Sequence, residues 1–289
     1  MSKLSDSLAS NDFTLTAELN PPKGTDLRFL LDAGEALRHL VTAFNLTDSA
    51  ASRMTMAPIA VAHLLADGGI ESTLQIAGRD RNRLAIQADM LAAHALGVAN
   101  IVCMTGDPPS AGDHPDAKPV FDLGAEAILN AARSLASGRD LAGNSVKEGP
   151  NFYRGAVVSV AVPEVGKEIA RMETKIEAGA QFFQTNAVYE PSGFEAFMKL
   201  VEGFNVPVLA GIIMLKSAGQ ARYMTERIPG VIVPDHVTAA LACADDVART
   251  SIRMTGGLVR DVAPMCQGVH LMAIGWERRI PAVMEAAGI

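Results

Sequence analysis

Phe13-Thr14-Leu15-Thr16-Ala17-Glu18-Leu19-Asn20-Pro21-Pro22 passes from an alternating apolar segment straight into a polar, proline-bearing turn, and helical periodicity follows over 25–40. Period-two alternation marks a strand, and the change to a 3.6-residue period marks a helix packed on one of its faces. The same unit recurs along the chain. Apolar segments at 13–19, 43–47, 72–77, 100–105, 156–162, 181–185, 206–214 and 269–275 make eight, and amphipathic stretches lie near 25–40, 57–67, 81–97, 122–137, 167–179, 191–203, 216–226 and 236–256. Strand and helix in alternation build βαβ units on a parallel sheet. A doubly wound open sheet is the competing arrangement. Eight repeats in 289 residues, with no sequence left for a second domain, predict a single (β/α)8 TIM barrel over 1–289.

Composition agrees with that architecture and removes other classes. Hydrophobic residues make up 49% of the chain and aromatics only 5%, the usage of a parallel sheet buried on both faces by Ala-rich helices. The formal net charge is −7, and no stretch gathers Lys and Arg with interleaved aromatics, so nucleic acid is not an expected partner. The first twelve residues are polar and no apolar run approaches the roughly 18 residues of a membrane span, so a soluble, cytoplasmic protein is expected. Cys103, Cys243 and Cys266 lie far apart and form no CxxC pair, which predicts neither disulfides nor a cysteine metal site. Gly-x-Gly-x-x-Gly, Walker and His-Glu-x-x-His motifs are absent, and no metal is expected. Two stretches read as irregular: the Pro- and Gly-rich 108–119, long enough to be a functional loop over the barrel mouth, and 137–151, a surface excursion.

Chemistry in such a barrel sits where the strands end, and those exits are polar. Glu18 leaves the first strand at the rim, where partial burial would raise its pKa and suit it to general-acid work; a Glu paired with Arg or Lys is the alternative. The second strand exits through Thr47 and the sixth through Gln184-Thr185-Asn186, groups suited to the amide edge of a heterocycle or to ordinary turns. Arg79, Arg81 and Arg83 open a helix after the third strand and suit an anionic group such as a cofactor diphosphate, or else form surface pairs around an Asp80 N-cap. Thr105-Gly106-Asp107-Pro108-Pro109 ends the fourth strand either as a cofactor wall, with Gly106 letting backbone approach a flat ligand, or as an Asx turn. His114, in the Pro-rich loop, is the one histidine placed near substrate.

Taken in order, these segments resemble the methylenetetrahydrofolate reductase family over almost the whole chain. The resemblance is carried by 17–22, Arg79-Asp80-Arg81-Asn82, Ala93-His94-Ala95-Leu96-Gly97-Val98, 105–109 with 112–116, Lys175 to Thr185, Pro229 to Pro234, and Gly268 to Glu277. It implies a barrel that reduces 5,10-methylenetetrahydrofolate to 5-methyltetrahydrofolate in one-carbon metabolism and methionine biosynthesis, with FAD as cofactor and NADH or NADPH as co-substrate. By resemblance, Glu18 is the general acid that opens the methylene bridge and Asp107 the acidic residue beside the ring. Substrate contacts fall to Glu18, Asp107, Gln184 and Asn186, and cofactor contacts to Thr47, Gln75, Arg79, Thr105, Gly106, Asp107, His114 and Lys175. A homo-oligomer or a partner redox subunit is the implied assembly. Three places depart from the family pattern: Gln75 stands where many relatives have a flavin-touching histidine, 161–167 lacks an aromatic and a histidine, and near Ala218 a substrate-packing aromatic is absent. These departures leave FMN, or direct transfer from nicotinamide, beside FAD. The rival readings are a deazaflavin-dependent pterin reductase and a degenerate barrel subunit of a larger redox complex.

Overall fold

Alternation in the strands is resolved by closure: one set of side chains meets the helices outside, the other meets itself inside. In the computed structural model, which describes residues 2–10, 12–228 and 230–289, strands β1 (Thr14–Leu19), β2 (Ala43–Leu46), β3 (Ser72–Ala77), β4 (Asn100–Met104), β5 (Tyr153–Val158), β6 (Phe182–Ala187), β7 (Val208–Ile213) and β8 (Gly268–Met272) form a closed parallel barrel in chain order. Pro229, part of one family segment, lies outside the described residues. The ring closes where Thr14 to Ala17 of β1 pair with Gly268 to Leu271 of β8. Leu15, Ala17, Leu46, Leu74, Ile76, Ile101, Phe183, Ile212 and Leu271 point outward into the main core beneath the helices.

Those helices are α2 (Arg28–Leu37), α3 (Pro58–Asp67), α4 (Arg83–Ala95), α5 (Ala125–Ala136), α6 (Val165–Ala178), α7 (Pro191–Val201), α8 (Ala218–Arg227), α9 (Asp235–Ala242), α10 (Val247–Val262) and α11 (Ile280–Ala287). The single helix expected over 236–256 is two, because Asp246 breaks the run and caps α10 by accepting from the Arg249 N–H. The fifth strand begins three residues earlier than expected. Gly155 is a strand residue whose absent side chain makes room for Phe182: a Cβ there would lie 2.3 Å from the ring. The long 108–119 connection contains a 3-10 turn at Pro109–Ala111 and packs Gly112 against the Ser52 backbone.

The polar N-terminus, for which no element was expected, forms helix α1 (Lys3–Ala9), with Ser2 and Ser5 in a capping box. Leu4 and Leu8 join Ala43, Val102, Phe182 and Leu209 in a cluster inside the ring. Glu71, just before β3, accepts from the backbone N–H groups of Lys3 and Leu4, and the Ser2 hydroxyl donates to Asn100 at the start of β4. The helix therefore plugs the amino-terminal mouth. Above the plug lies a layer of buried polar side chains, Thr16, Asn45, Thr73, Gln184 and His270. Asn45 Nδ2 donates to Gln184 Oε1 at 2.7 Å, and His270 Nδ1 meets the Thr16 hydroxyl at 3.0 Å. Burial lowers His270 to a pKa of about 4, so its ring is neutral at physiological pH.

Candidate active site at the carboxyl ends of the strands

One step further along each strand, the next inward-facing side chains are Glu18, Gln75, Met104, Val157, Asn186 and Met272, all half-buried. The lower layers are sealed, so this mouth is where the barrel interior meets solvent. Glu18 of β1, Gln75 of β3 and Asn186 of β6 thus all face the mouth, while Asp107, expected to join Glu18 and Asn186 around one ring, lies past β4 at the exposed rim.

Glu18 dominates the electrostatics. Withdrawal from water raises its pKa from 4.5 to about 7; a hydrogen bond from Asn20 opposes the rise and the neighbouring Glu277 adds to it. Asn20 Nδ2 donates to Glu18 Oε1 at 3.1 Å, and the Thr47 hydroxyl donates to Asn20 Oδ1 at 2.9 Å. Thr47 is 1% exposed, so in this structure it orients Asn20, which in turn orients the acid. Sequence reasoning quoted Asn20 without giving it a role; its signal was its spacing, two positions after Glu18, whose carboxyl it meets. Because the folded chain keeps the Glu18 proton up to about pH 7 and an unfolded chain releases it near 4.5, native stability falls as pH rises between those values. Glu18→Gln is expected to unfold later than wild type at pH 8 by about 1–2 kcal/mol, after discounting the full shift for partial solvation, and to match it at pH 4. Denaturant melts at the two pH values measure this; equal stability at pH 8 would contradict the raised pKa.

The other positions divide by what already occupies them. Asp107, three residues past β4, is exposed at the rim, and its backbone carbonyl accepts from Ser52 Oγ at 2.8 Å. Thr105 Oγ1 accepts from the Ala125 N–H at 3.3 Å and so caps α5. Gly106 has φ +90, a backbone conformation that side chains rarely adopt, and a Cβ there would lie 3.1 Å from the Arg79 Cβ. Arg79, 3% exposed, donates to Asp80, Ser52 and the Asp48 carbonyl. Arg81 pairs with Asp48 and Asp89, and Arg83 with Asp122. All three guanidiniums expected for a diphosphate are therefore neutralised within the protein, and the N-cap of α4 is Asn82 rather than Asp80.

His114 is exposed and bonded to Asp113 at 2.9 Å, and Lys23 also reaches that carboxylate. These bonds hold the Asp113 carboxyl well below the usual carboxylate range. Lys175 donates to the Val157 carbonyl at 2.8 Å, and burial lowers its pKa. It lines a cleft of about 410 Å³ with Thr105, Glu126, Ser159, Glu168 and Arg171, where two acids balance two bases. Gln184 sits one layer below the mouth, with Oε1 taken by Asn45 and Nε2 without a partner among the described residues. Asn186 is at the mouth itself. Gly230 crosses it so closely that a Cβ would lie 2.6 Å from Asn186 Nδ2, and Asn186 Oδ1 is buried without a partner among the described residues. A buried acceptor left open at the barrel mouth suits a ring with an N–H edge.

Fold and site together define a barrel protein whose polar mouth, at the carboxyl ends of its strands, presents a carboxylic acid near neutral pH. The chain belongs to the methylenetetrahydrofolate reductase family, whose sequence profile matches residues 3–288. It is similar to methylenetetrahydrofolate reductase 2 of Schizosaccharomyces pombe, 27% identical over 238 residues, covering 76% of this chain and 36% of that protein. Methylenetetrahydrofolate reductase 1 of the same organism is 22% identical over 211 residues, covering 71% and 33%. The chain thus spans about a third of the length of these curated relatives. Among solved structures, 2,3-dimethylmalate lyase superposes with a TM-score of 0.55 at 12% identity, covering 100% of this chain and 85% of that one. Phosphonopyruvate hydrolase does so with 0.54 at 15%, covering 99% and 85%. These likenesses concern the barrel alone. Among the described residues no helix is long and apolar enough to cross a membrane, and no group of His, Cys, Asp or Glu is arranged to hold a metal.

Proposed function

We propose that the chain reduces 5,10-methylenetetrahydrofolate to 5-methyltetrahydrofolate, with Glu18 as the acid and a reduced nicotinamide as the source of hydride. The observation that carries this reading is a carboxyl at the barrel mouth that keeps its proton near pH 7. A closed aminal is a poor hydride acceptor. Proton transfer from Glu18 to the bridging N10 breaks the bond between N10 and the methylene carbon and leaves an iminium at N5; hydride then adds to that carbon, and the nicotinamide is oxidised. Glu18 is left as a carboxylate and regains its proton from water. Asn186 Oδ1 and Asp107 are the acceptors for the N–H edge of the pterin, with Gln75 beside them and Gln184 beneath.

Family resemblance implies FAD, and its ring would suit the same mouth. The residues proposed for its diphosphate do not fit that role, since Arg79, Arg81 and Arg83 are already paired with carboxylates and the Lys175 cleft has no net charge. In this reading the nicotinamide is therefore the direct donor. Purified protein given NADH or NADPH with methylenetetrahydrofolate is expected to form 5-methyltetrahydrofolate, detected by mass spectrometry, with or without added FAD or FMN. No product under any of these conditions would refute the reading; product only with added flavin would overturn direct transfer alone.

A further inference from the structure

Outside the ring, helix α10 packs against β7, α7 and α9 without filling the space between them. A cavity of about 300 Å³ remains there, walled by Ile212 and Ile213 of β7, Val237 and Leu241 of α9, and Met254 and Leu258 of α10. None of Glu18, Gln75, Asp107 or Asn186 lines it, so it is separate from the barrel mouth. Protein interiors are packed as densely as organic crystals, and voids larger than a water molecule are few. This one has about twice the roughly 150 Å³ that admits benzene in an engineered apolar cavity.

Two residues of α10 on its wall are not explained by packing. Ser251 is 2% exposed, and its hydroxyl has no hydrogen-bond partner among the described residues. A helical serine can return its hydroxyl to the carbonyl four residues back; left open, the buried group carries its full desolvation cost. Gly257 is the second. Its neighbour Gly256 is fixed by α11, since a Cβ there would lie 2.7 Å from the Ala286 Cβ, but a Cβ on Gly257 would meet only the Arg260 guanidinium, at 3.6 Å. Glycine weakens a helix interior, and no protein neighbour requires it at 257; what its missing side chain leaves open is the cavity.

The lining defines what would fit. His236 and Asp261 are exposed and stand at its rim, and the Tyr189 hydroxyl is committed to the Ile213 carbonyl at 3.1 Å. Deeper in, Ser251 offers an uncommitted hydroxyl amid aliphatic and thioether side chains. An ion would lose its hydration there and meet no buried charge in return.

We propose that this cavity is a second binding site, taking one uncharged, largely hydrocarbon molecule of about two fused rings whose single hydrogen-bonding group engages the Ser251 hydroxyl. The site is independent of the folate chemistry at the mouth.

The probe is 2-naphthol, titrated by calorimetry into the ligand-free protein at pH 7, where the probe is uncharged. Wild type is expected to bind one molecule per chain, undisplaced by methylenetetrahydrofolate. Ser251→Ala is expected to weaken binding about three- to tenfold, the loss of one neutral hydrogen bond. Gly257→Leu is expected to abolish binding by filling the cavity, with a thermal midpoint at or above that of wild type. No saturable binding by wild type, displacement by the folate, or unchanged affinity in either folded variant would overturn the proposal. If Gly257→Leu does not fold, Gly257→Ala is expected to weaken binding severalfold, and unchanged affinity there overturns it equally.

Discussion

Replacing Glu18 by Gln is expected to lower folate turnover by roughly 10²- to 10⁴-fold, the range typical of losing a positioned general acid, while nicotinamide binding is retained. The separation follows from where the proton is needed. Hydride leaves the nicotinamide without a protein acid, but the folate accepts it only after N10 is protonated, so the loss should fall on kcat with methylenetetrahydrofolate. Gln preserves the shape of the side chain and an oxygen for the Asn20 bond, so misplacement of neighbours does not account for such a loss. Steady-state assays, with nicotinamide binding followed by fluorescence, decide the matter. An equal collapse of binding and turnover would show that Glu18 builds the site rather than donating the proton.

Leu4→Ala is expected to cost about 2–5 kcal/mol of unfolding free energy, the range for truncating a fully buried leucine. Leu4 is 0% exposed and fills the ring against Val102, Phe182 and Leu209. Around it the Leu4 N–H is held by Glu71 and the Ser2 hydroxyl by Asn100, leaving little freedom to collapse onto the cavity. Urea titration should show a lower midpoint with an unchanged slope. A loss below about 1 kcal/mol would mean that the helix lies on the barrel without supporting it.

Most of the barrel was legible because its signals are local. Seven of the strands fall within a few residues of where alternation places them, since a buried strand must be continuously apolar on its outward face and break at a turn. The start of the fifth strand was missed because Gly155, a weak strand former, owes its place to Phe182 on the partner strand, which local pattern does not show. Helix α1 was missed for a similar reason. Two leucines in a polar heptapeptide are too few to announce a core element until the ring they enter exists.

The candidate site was half legible. Glu18, Gln75 and Asn186 stand at inward positions at strand ends, as period-two counting from the rim requires. Occupancy was hidden: a sequence shows three arginines but not Asp48, Asp80, Asp89 and Asp122 arriving to neutralise them. The outer cavity left no trace, since the meaning of Ser251 and Gly257 depends on a partnerless hydroxyl and on walls supplied by β7 and α9.

By itself the sequence determined the alternation of eight strands with helices, the polar character of their exits and the family to which the chain belongs, because each is written in short-range pattern and residue order. The tertiary structure alone decided which charges are spent on one another, which end of the ring is plugged and how much proton affinity Glu18 acquires. Those properties depend on solvent exclusion and on distances between segments far apart in the chain, and both come into being only when the ring closes.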